Sequence, residues 1–437
     1  MSGLTLVVLA IALLLLLFAF SVPVVVAFLL CDLIGLVLIT GTPGLGMFAN
    51  SMFTTGTTAA LVTIPLFLLV GEILARGRAI EAMFSSVDTL IGRLRGRQYI
   101  LTIILATIFG ALSGTAMGVA AMLGRSVLPG MRARQYDIGL STGVIMAGAS
   151  LAPIIPPSVL VIIVGTLAGV SISSLMVAGI FPGLILAAMF LGYILLRVKR
   201  NPKLAPQEAA EGLGGLSSAS VLGALARILP VSAVIISIMG LIVLGIATPS
   251  EAAATGVLGA IVTVAIYGGL SVNMLREAFR SAAYTAAMVL IIMVASKIFS
   301  QLLAFTGATA EITQAVTGLG FPPGVMLVLM LVLPFVLCMF IDQIALMMVI
   351  IPIYRPLVAQ LGFDPVWFWL LFLINITVGG ITPPFGYTIF ALKGAVEDVA
   401  LSDLFRAAWP FVALFVIGVI LFALVPGIVT SLPRALL

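Results

Sequence analysis

Two stretches of this chain set helix-breaking residues and small polar side chains inside apolar surroundings. Residues 148–158 read GASLAPIIPPS, and residues 379–386 read GGITPPFG. A proline lacks a backbone donor and collides with the carbonyl four residues back, while a neighbouring glycine lets the chain leave helical dihedrals. Carbonyl oxygens are freed at such breaks. With nearby Ser and Thr hydroxyls they are the hard oxygen ligands a dehydrated alkali cation requires, and half-helix N-termini pointing inward suit an anion. Residues 110–118, GALSGTAMG, are a third run of small residues, suited to a tight turn within the membrane.

The ionisable residues divide between chemistry and structure. Asp342 falls near a membrane midplane, where an ionised carboxylate needs a cation or strong donors; ligation of a cation and a hydrogen-bonded brace are the two readings. Lys297 lies near the middle of an apolar stretch and suits a substrate carboxylate, a salt bridge to Asp342 or snorkelling to an interface. Glu251 follows Thr248 and Pro249 at the spacing of a capping box. Glu72 precedes Arg76 by four residues, the spacing of a helical ion pair. Asp32 reads as a loop or interface residue between the first two apolar stretches. Cys31 and Cys338 are isolated in apolar context, as buried small hydrophobes. Ser296 and Lys297 are neighbours pointing about 100° apart on one helix, poorly placed for a Ser–Lys nucleophile. The chain has no histidine, so Ser-His-Asp and Cys-His catalysis, HExxH metal sites and histidine proton relays are excluded.

The elements that position these groups follow from composition. Of 437 residues 62% are hydrophobic and 8% charged, against roughly a quarter charged in soluble domains. Apolar runs recur, each long enough to cross a hydrocarbon core of about 30 Å as a helix. The fold class is an all-α polytopic membrane protein. The first run has no basic flank before it and no cleavage site after it, and so reads as a retained helix. The net charge of +5 reflects Lys and Arg in short loops, where membrane topology places them, and does not indicate nucleic acid.

Positive-inside topology puts the clusters Arg76–Arg97, Arg125–Arg134 and Arg197–Lys203 on one side, with a single apolar segment, residues 98–124, between the first two. That segment enters and leaves on the same side as a re-entrant hairpin, tolerated only where protein or a water-filled cavity surrounds its tip. Both termini then face outward, and all basic residues except Lys297, Arg355 and Arg434 face the cytoplasm. Residues 1–198 form a first repeat, with scaffold spans at 4–51 (4–30 and 32–51), hairpin 98–124 and broken helix 138–165; residues 199–220 form a polar linker. Residues 221–437 form a second repeat, with scaffold spans at 225–270, hairpin 326–350 and broken helix 366–392. An offset of 227 sets Pro156-Pro157 on Pro383-Pro384 and Tyr136-Asp137 on Phe363-Asp364. The repeats have opposite orientation, and inverted repeats with interrupted helices point to a secondary transporter whose site is near the midplane.

These motifs, with residues 179–183 (GIFPG), 248–254 (TPSEAAA) and 340–342 (FID), resemble the DctM-like large membrane subunit of tripartite ATP-independent periplasmic (TRAP) transporters along essentially the whole chain. The resemblance implies a sodium-driven elevator carrier of the bacterial inner membrane. It implies a small four-helix membrane subunit and a periplasmic binding protein as partners, an organic acid as cargo, and no ATPase, cofactor or transition metal. It places one sodium among Ser113, Gly114, Thr115, Gly148, Ser150 and Pro153. The second falls among Phe340, Asp342, Gly379 and Thr382. Substrate is expected between the hairpin tips, against Ser113, Thr115, Ser158, Lys297, Thr382 and Pro383. A self-sufficient symporter of the same superfamily and a membrane scaffold subunit are the competing readings.

Overall fold

A backbone in hydrocarbon has no water to bond, so each segment must satisfy its N–H and C=O groups internally, and the chain is helical almost throughout. The computed structural model describes residues 3–20, 22–41, 44–91, 94–113, 115–206 and 218–437. Among them no strand occurs. The first half holds α1 (Gly3–Ala19), α2 (Val24–Thr40), α3 (Gly44–Gly56), α4 (Thr63–Arg76), α5 (Ala79–Ile91), α6 (Arg97–Ser113), α7 (Ala116–Ser126), α8 (Leu128–Ala133), α9 (Ile138–Ala149), α10 (Val159–Ala168), α11 (Ile172–Ala178) and α12 (Ile180–Arg200). The second holds α13 (Ser218–Val243), α14 (Pro249–Ile266), α15 (Val272–Phe305), α16 (Ala308–Thr317), α17 (Pro323–Cys338), α18 (Gln343–Gln360), α19 (Pro365–Gly379), α20 (Tyr387–Ala395), α21 (Leu401–Leu424) and α22 (Gly427–Leu436). Seven helices among the described residues are long and apolar enough to cross a membrane. Of the expected linker, residues 207–217 lie outside the described residues.

Several helices of the two halves correspond in order. Shifted by 227 residues, α6 and α7 fall on α17 and α18, α9 and α10 on α19 and α20, and α12 on α21. The starts of the broken helices match in chemistry. Asp137 caps α9 by accepting from the Leu140 N–H at 2.7 Å, and Asp364 caps α19 by accepting from the Trp367 N–H at 3.1 Å. Each cap satisfies a donor that the first helical turn leaves without a partner. Packing also repeats: α5 lies on α13 as α16 lies on α1, and α7 lies on α20 as α10 lies on α18. The second arm of each hairpin therefore rests on the restarted helix of the opposite half.

The amino-terminal region differs from the sequence reading. In place of stretches 4–30 and 32–51 there are three helices, α1 ending at Ala19, α2 running over Val24–Thr40 and α3 beginning at Gly44. Pro23, which cannot donate to a preceding turn, stands immediately before α2, and Gly41 ends that helix with a φ of 67°. Asp32 is thereby displaced from a loop to the interior of α2, fully buried, with neither carboxylate oxygen hydrogen-bonded. A buried carboxyl without partners is a net cost of about 1–3 kcal/mol relative to an apolar side chain that fits. Asp32→Leu is therefore expected to raise the melting temperature in detergent; a lowered one would mean that the carboxyl has a partner in the membrane. Helices α5 and α16 occupy segments to which the sequence reading assigned no element.

Local readings elsewhere match the structure. Thr248 and Glu251 form a reciprocal capping box at the start of α14. Glu72 accepts from the Arg76 Nε at 2.8 Å and from the Ser281 hydroxyl at 2.8 Å, while Arg76 reaches Glu277 at 3.1 Å, tying α4 to α15. Both cysteines are buried and free.

Candidate functional site

The two hairpins meet the two broken helices through close backbone approaches. A methyl group added at Gly110 of α6 would lie 2.8 Å from the Ala152 Cα, and one at Gly148 of α9 would lie 2.6 Å from the Ala106 Cβ. In the second half, a methyl group at Gly379 would lie 2.6 Å from the Cys338 Cβ and 3.1 Å from the Phe335 carbonyl oxygen. These glycines let hairpin and broken helix touch along their backbones, beside the tips. The Cys338 thiol donates to the Ile376 carbonyl at 3.0 Å, and the Asn375 amide to the Leu331 carbonyl at 2.6 Å, so the second hairpin is also bonded to its broken helix. Tyr387, just past the break, donates to Gln343 at the start of α18.

Within the breaks the hydroxyls turn back on the chain. Ser150 donates to the Met146 carbonyl at 2.9 Å and Thr382 to the Val378 carbonyl at 2.7 Å, each closing the last turn before the interruption. Ser158 donates to the Pro153 carbonyl at 2.7 Å and accepts from the Val161 N–H, capping α10. All three are fully buried. The Pro156-Pro157 and Pro383-Pro384 peptide bonds are both cis. Within residues 150–157 and 380–386 the regular helix is interrupted, although the Leu151, Gly380, Thr382 and Gly386 carbonyls still accept backbone N–H groups.

The tips differ in chemistry. Thr115 stands in extended conformation immediately before α7, and Asp342 immediately before α18. The Asp342 carboxylate accepts from the Ile344 N–H at 2.9 Å and the Ala345 N–H at 3.4 Å, the bracing role weighed from sequence. Phe340 projects, largely exposed, from the turn before it. Gly114 and the Ser113 side chain lie outside the described residues. Lys297 is not joined to this tip: its ammonium donates to the Thr54 hydroxyl on α3 at 2.8 Å, and among the described residues it makes no ion pair with Asp342. Thr54 is 243 residues away, so sequence spacing gave no sign of it.

Beside the first tip is a cavity of about 340 Å³ between hairpin and scaffold. Thr115, Gly118, Met122 and Arg125 line one side, and Leu68, Glu72 and Arg76 of α4 with Thr285 of α15 line the other. Arg125, Arg76 and Glu72 add charged groups to its lining, where the sequence reading gave Arg125 to topology and Glu72 with Arg76 to a helical ion pair. Near the same face, Arg132 of α8 donates to Asp398 in the connection before α21. That hydrogen bond holds the Asp398 carboxyl below the usual carboxylate range. A carboxyl lowered in the folded state contributes stability above its unfolded pKa of about 4 and loses it as pH falls through the folded value. The melting temperature of wild type is expected to exceed that of Asp398→Asn near neutral pH and to converge with it as pH drops below about 4; a constant difference would deny the ion pair a role.

The family described as tripartite ATP-independent periplasmic transporter, DctM component, matches residues 11–428. The ectoine TRAP transporter large permease of Halomonas elongata is 31% identical over 372 residues, 85% of each chain. The C4-dicarboxylate TRAP large permease of Pseudomonas aeruginosa is 27% identical over 88% of this chain and 89% of that one, and the sialic acid TRAP large permease of Vibrio cholerae is 27% identical over 92% of each. The YdaH transporter of Alcanivorax borkumensis, a solved structure of unusual topology, shares the fold with a TM-score of 0.67 at 15% identity, over 92% of this chain and 98% of that one. The chain belongs to the DctM family: it is a multi-pass large membrane subunit of a bacterial TRAP transporter.

Proposed function

We propose that this permease carries a small organic acid anion inward across the bacterial inner membrane, driven by sodium. It receives the anion from a periplasmic binding protein and works beside a small four-helix membrane subunit. The observation that carries this reading is the pairing, in each half, of a hairpin arm with a broken helix through glycine-mediated backbone approaches, beside an interruption that contains a Pro-Pro pair. Two such pairs supply two cation sites, one near Thr115 with Gly148, Ser150 and Pro153, the other near Phe340 and Asp342 with Gly379 and Thr382. Substrate sits between the tips. Ser113, Thr115, Ser158, Thr382 and Pro383 border that space in this reading, and Lys297 acts from the scaffold through Thr54.

The opposed orientation of the halves and both termini outside complete the arrangement, residues 1–198 and 221–437 being the repeats. The hairpin domain slides against the scaffold spans, and the cavity between Thr115 and α4 is the exit toward the cytoplasm. Organic acids are named for the ectoine, dicarboxylate and sialic acid relatives, which supports the same class here. Reconstitution with each partner left out tests the assembly. Uptake of organic acid is expected only with the small membrane subunit and the binding protein both present. Uptake by the large subunit alone would identify a self-sufficient symporter, and no flux under any combination would leave only a scaffold.

A further inference from the structure

The walls of the two breaks are chemically unequal. At the 227-residue offset, Phe340 and Phe385 occupy the places that Ser113 and Ser158 hold in the first half. The Ser158 hydroxyl is turned in to the Pro153 carbonyl. Phe340 and Phe385, in contrast, leave 59% and 57% of their surface open. Their ring centroids lie 5.6 Å apart, and Phe390 extends the row at 6.5 Å from Phe385 with planes 29° apart. An open Phe facing lipid would be unremarkable. These two, however, belong to turns whose backbone is irregular, and irregular backbone at membrane depth is tolerated only beside protein or a water-filled cavity. We take the rings to border the water-filled side of these turns.

We propose that Phe340 and Phe385 are specificity-determining residues, and that the cargo is a monocarboxylate with an aromatic or branched apolar body. The inference rests on the hairpin-tip reading of the transport site and narrows its substrate. Two adjacent rings recover free energy by covering a flat or branched hydrocarbon surface, through area burial and offset or edge contacts. A polyhydroxy acid laid on the same wall leaves its hydroxyls desolvated and unbonded, and a dicarboxylate places a second charge there. The carboxylate of the cargo lies toward the cation sites, where a positive ion offsets it.

The test uses the large subunit purified with its small membrane partner and measures melting temperature, with and without sodium, against phenylacetate, 4-methyl-2-oxopentanoate, succinate, gluconate and glycine betaine. Phenylacetate and 4-methyl-2-oxopentanoate are expected to stabilise the complex in a sodium-dependent manner. Their apparent affinity is expected to fall about tenfold or more in Phe340→Ala and Phe385→Ala and to survive in Phe385→Tyr, a loss of the size expected when one apolar contact surface is removed. The ligand-free melting temperature of each variant controls for folding. Sodium-dependent stabilisation by succinate, gluconate or glycine betaine, unchanged in the alanine variants, would overturn the aromatic wall while leaving the transport site in place. Stabilisation by none of the acids, with or without sodium, would overturn both.

Discussion

Asp342→Asn is expected to abolish the sodium dependence of transport while leaving the protein close to wild-type stability. The substitution separates the observed cap from the proposed sodium ligation. As a cap the side chain accepts from two N–H groups at the start of α18, and asparagine caps about as well as aspartate. As a charge beside a proposed sodium site it contributes, for a separation of about 4 Å and an effective dielectric of about 20, roughly 4 kcal/mol, an upper range of about 10³-fold in sodium affinity. Asp342→Ala removes both and is expected to cost about 1 kcal/mol of stability in addition. Sodium titrations of uptake for the two variants, read beside their melting temperatures, distinguish ligation from bracing. Unchanged sodium dependence in Asp342→Asn would reduce this residue to a cap.

Gly379→Ala is expected to separate the second hairpin from its broken helix. Its new methyl group would lie 2.6 Å from the Cys338 Cβ and 3.1 Å from a backbone oxygen of α17, and the thiol behind it is held to the Ile376 carbonyl. Neither neighbour is the free end of a flexible chain, so hairpin and broken helix must move apart, at a cost of about 1–3 kcal/mol and a loss of the tip geometry. Gly192 of α12 is the control: nothing lies within 4 Å of a methyl group placed there. Gly192→Ala is expected to be neutral or stabilising by up to about 1 kcal/mol, because alanine is the better helix former. Melting curves and uptake rates of the pair check this. Equal behaviour of the two variants would mean that the close approach at Gly379 is not required.

What could be read from sequence was what local chemistry decides. The interruptions at Pro156-Pro157 and Pro383-Pro384 were legible because proline and glycine act within a few residues of themselves. The Thr248–Glu251 box and the Glu72–Arg76 pair depend on spacings of three and four along one helix. The hairpin at 98–124 follows from basic residues on either side of it; the structure has α6 ending at Ser113 and α7 beginning at Ala116.

Groups whose surroundings come from distant segments were not legible. Asp32 looks like a loop residue beside Cys31, yet packing of α2 on α1 and α15 buries it completely. The bond between Lys297 and Thr54 and the crossed packing of α7 on α20 join residues hundreds of positions apart. Nor were α5 and α16 legible as long apolar spans, since both are short and amphipathic, with polar residues on one face.

Sodium coupling at the hairpin tips is tested most directly by uptake into proteoliposomes containing the large and small membrane subunits. Loaded binding protein is added outside, and ion gradients are imposed one at a time. An inward sodium gradient is expected to drive accumulation of the organic acid, with none under potassium or proton gradients of the same size, and Asp342→Asn is expected to remove the response. Equal accumulation under a potassium or proton gradient, or in the absence of sodium, would contradict it.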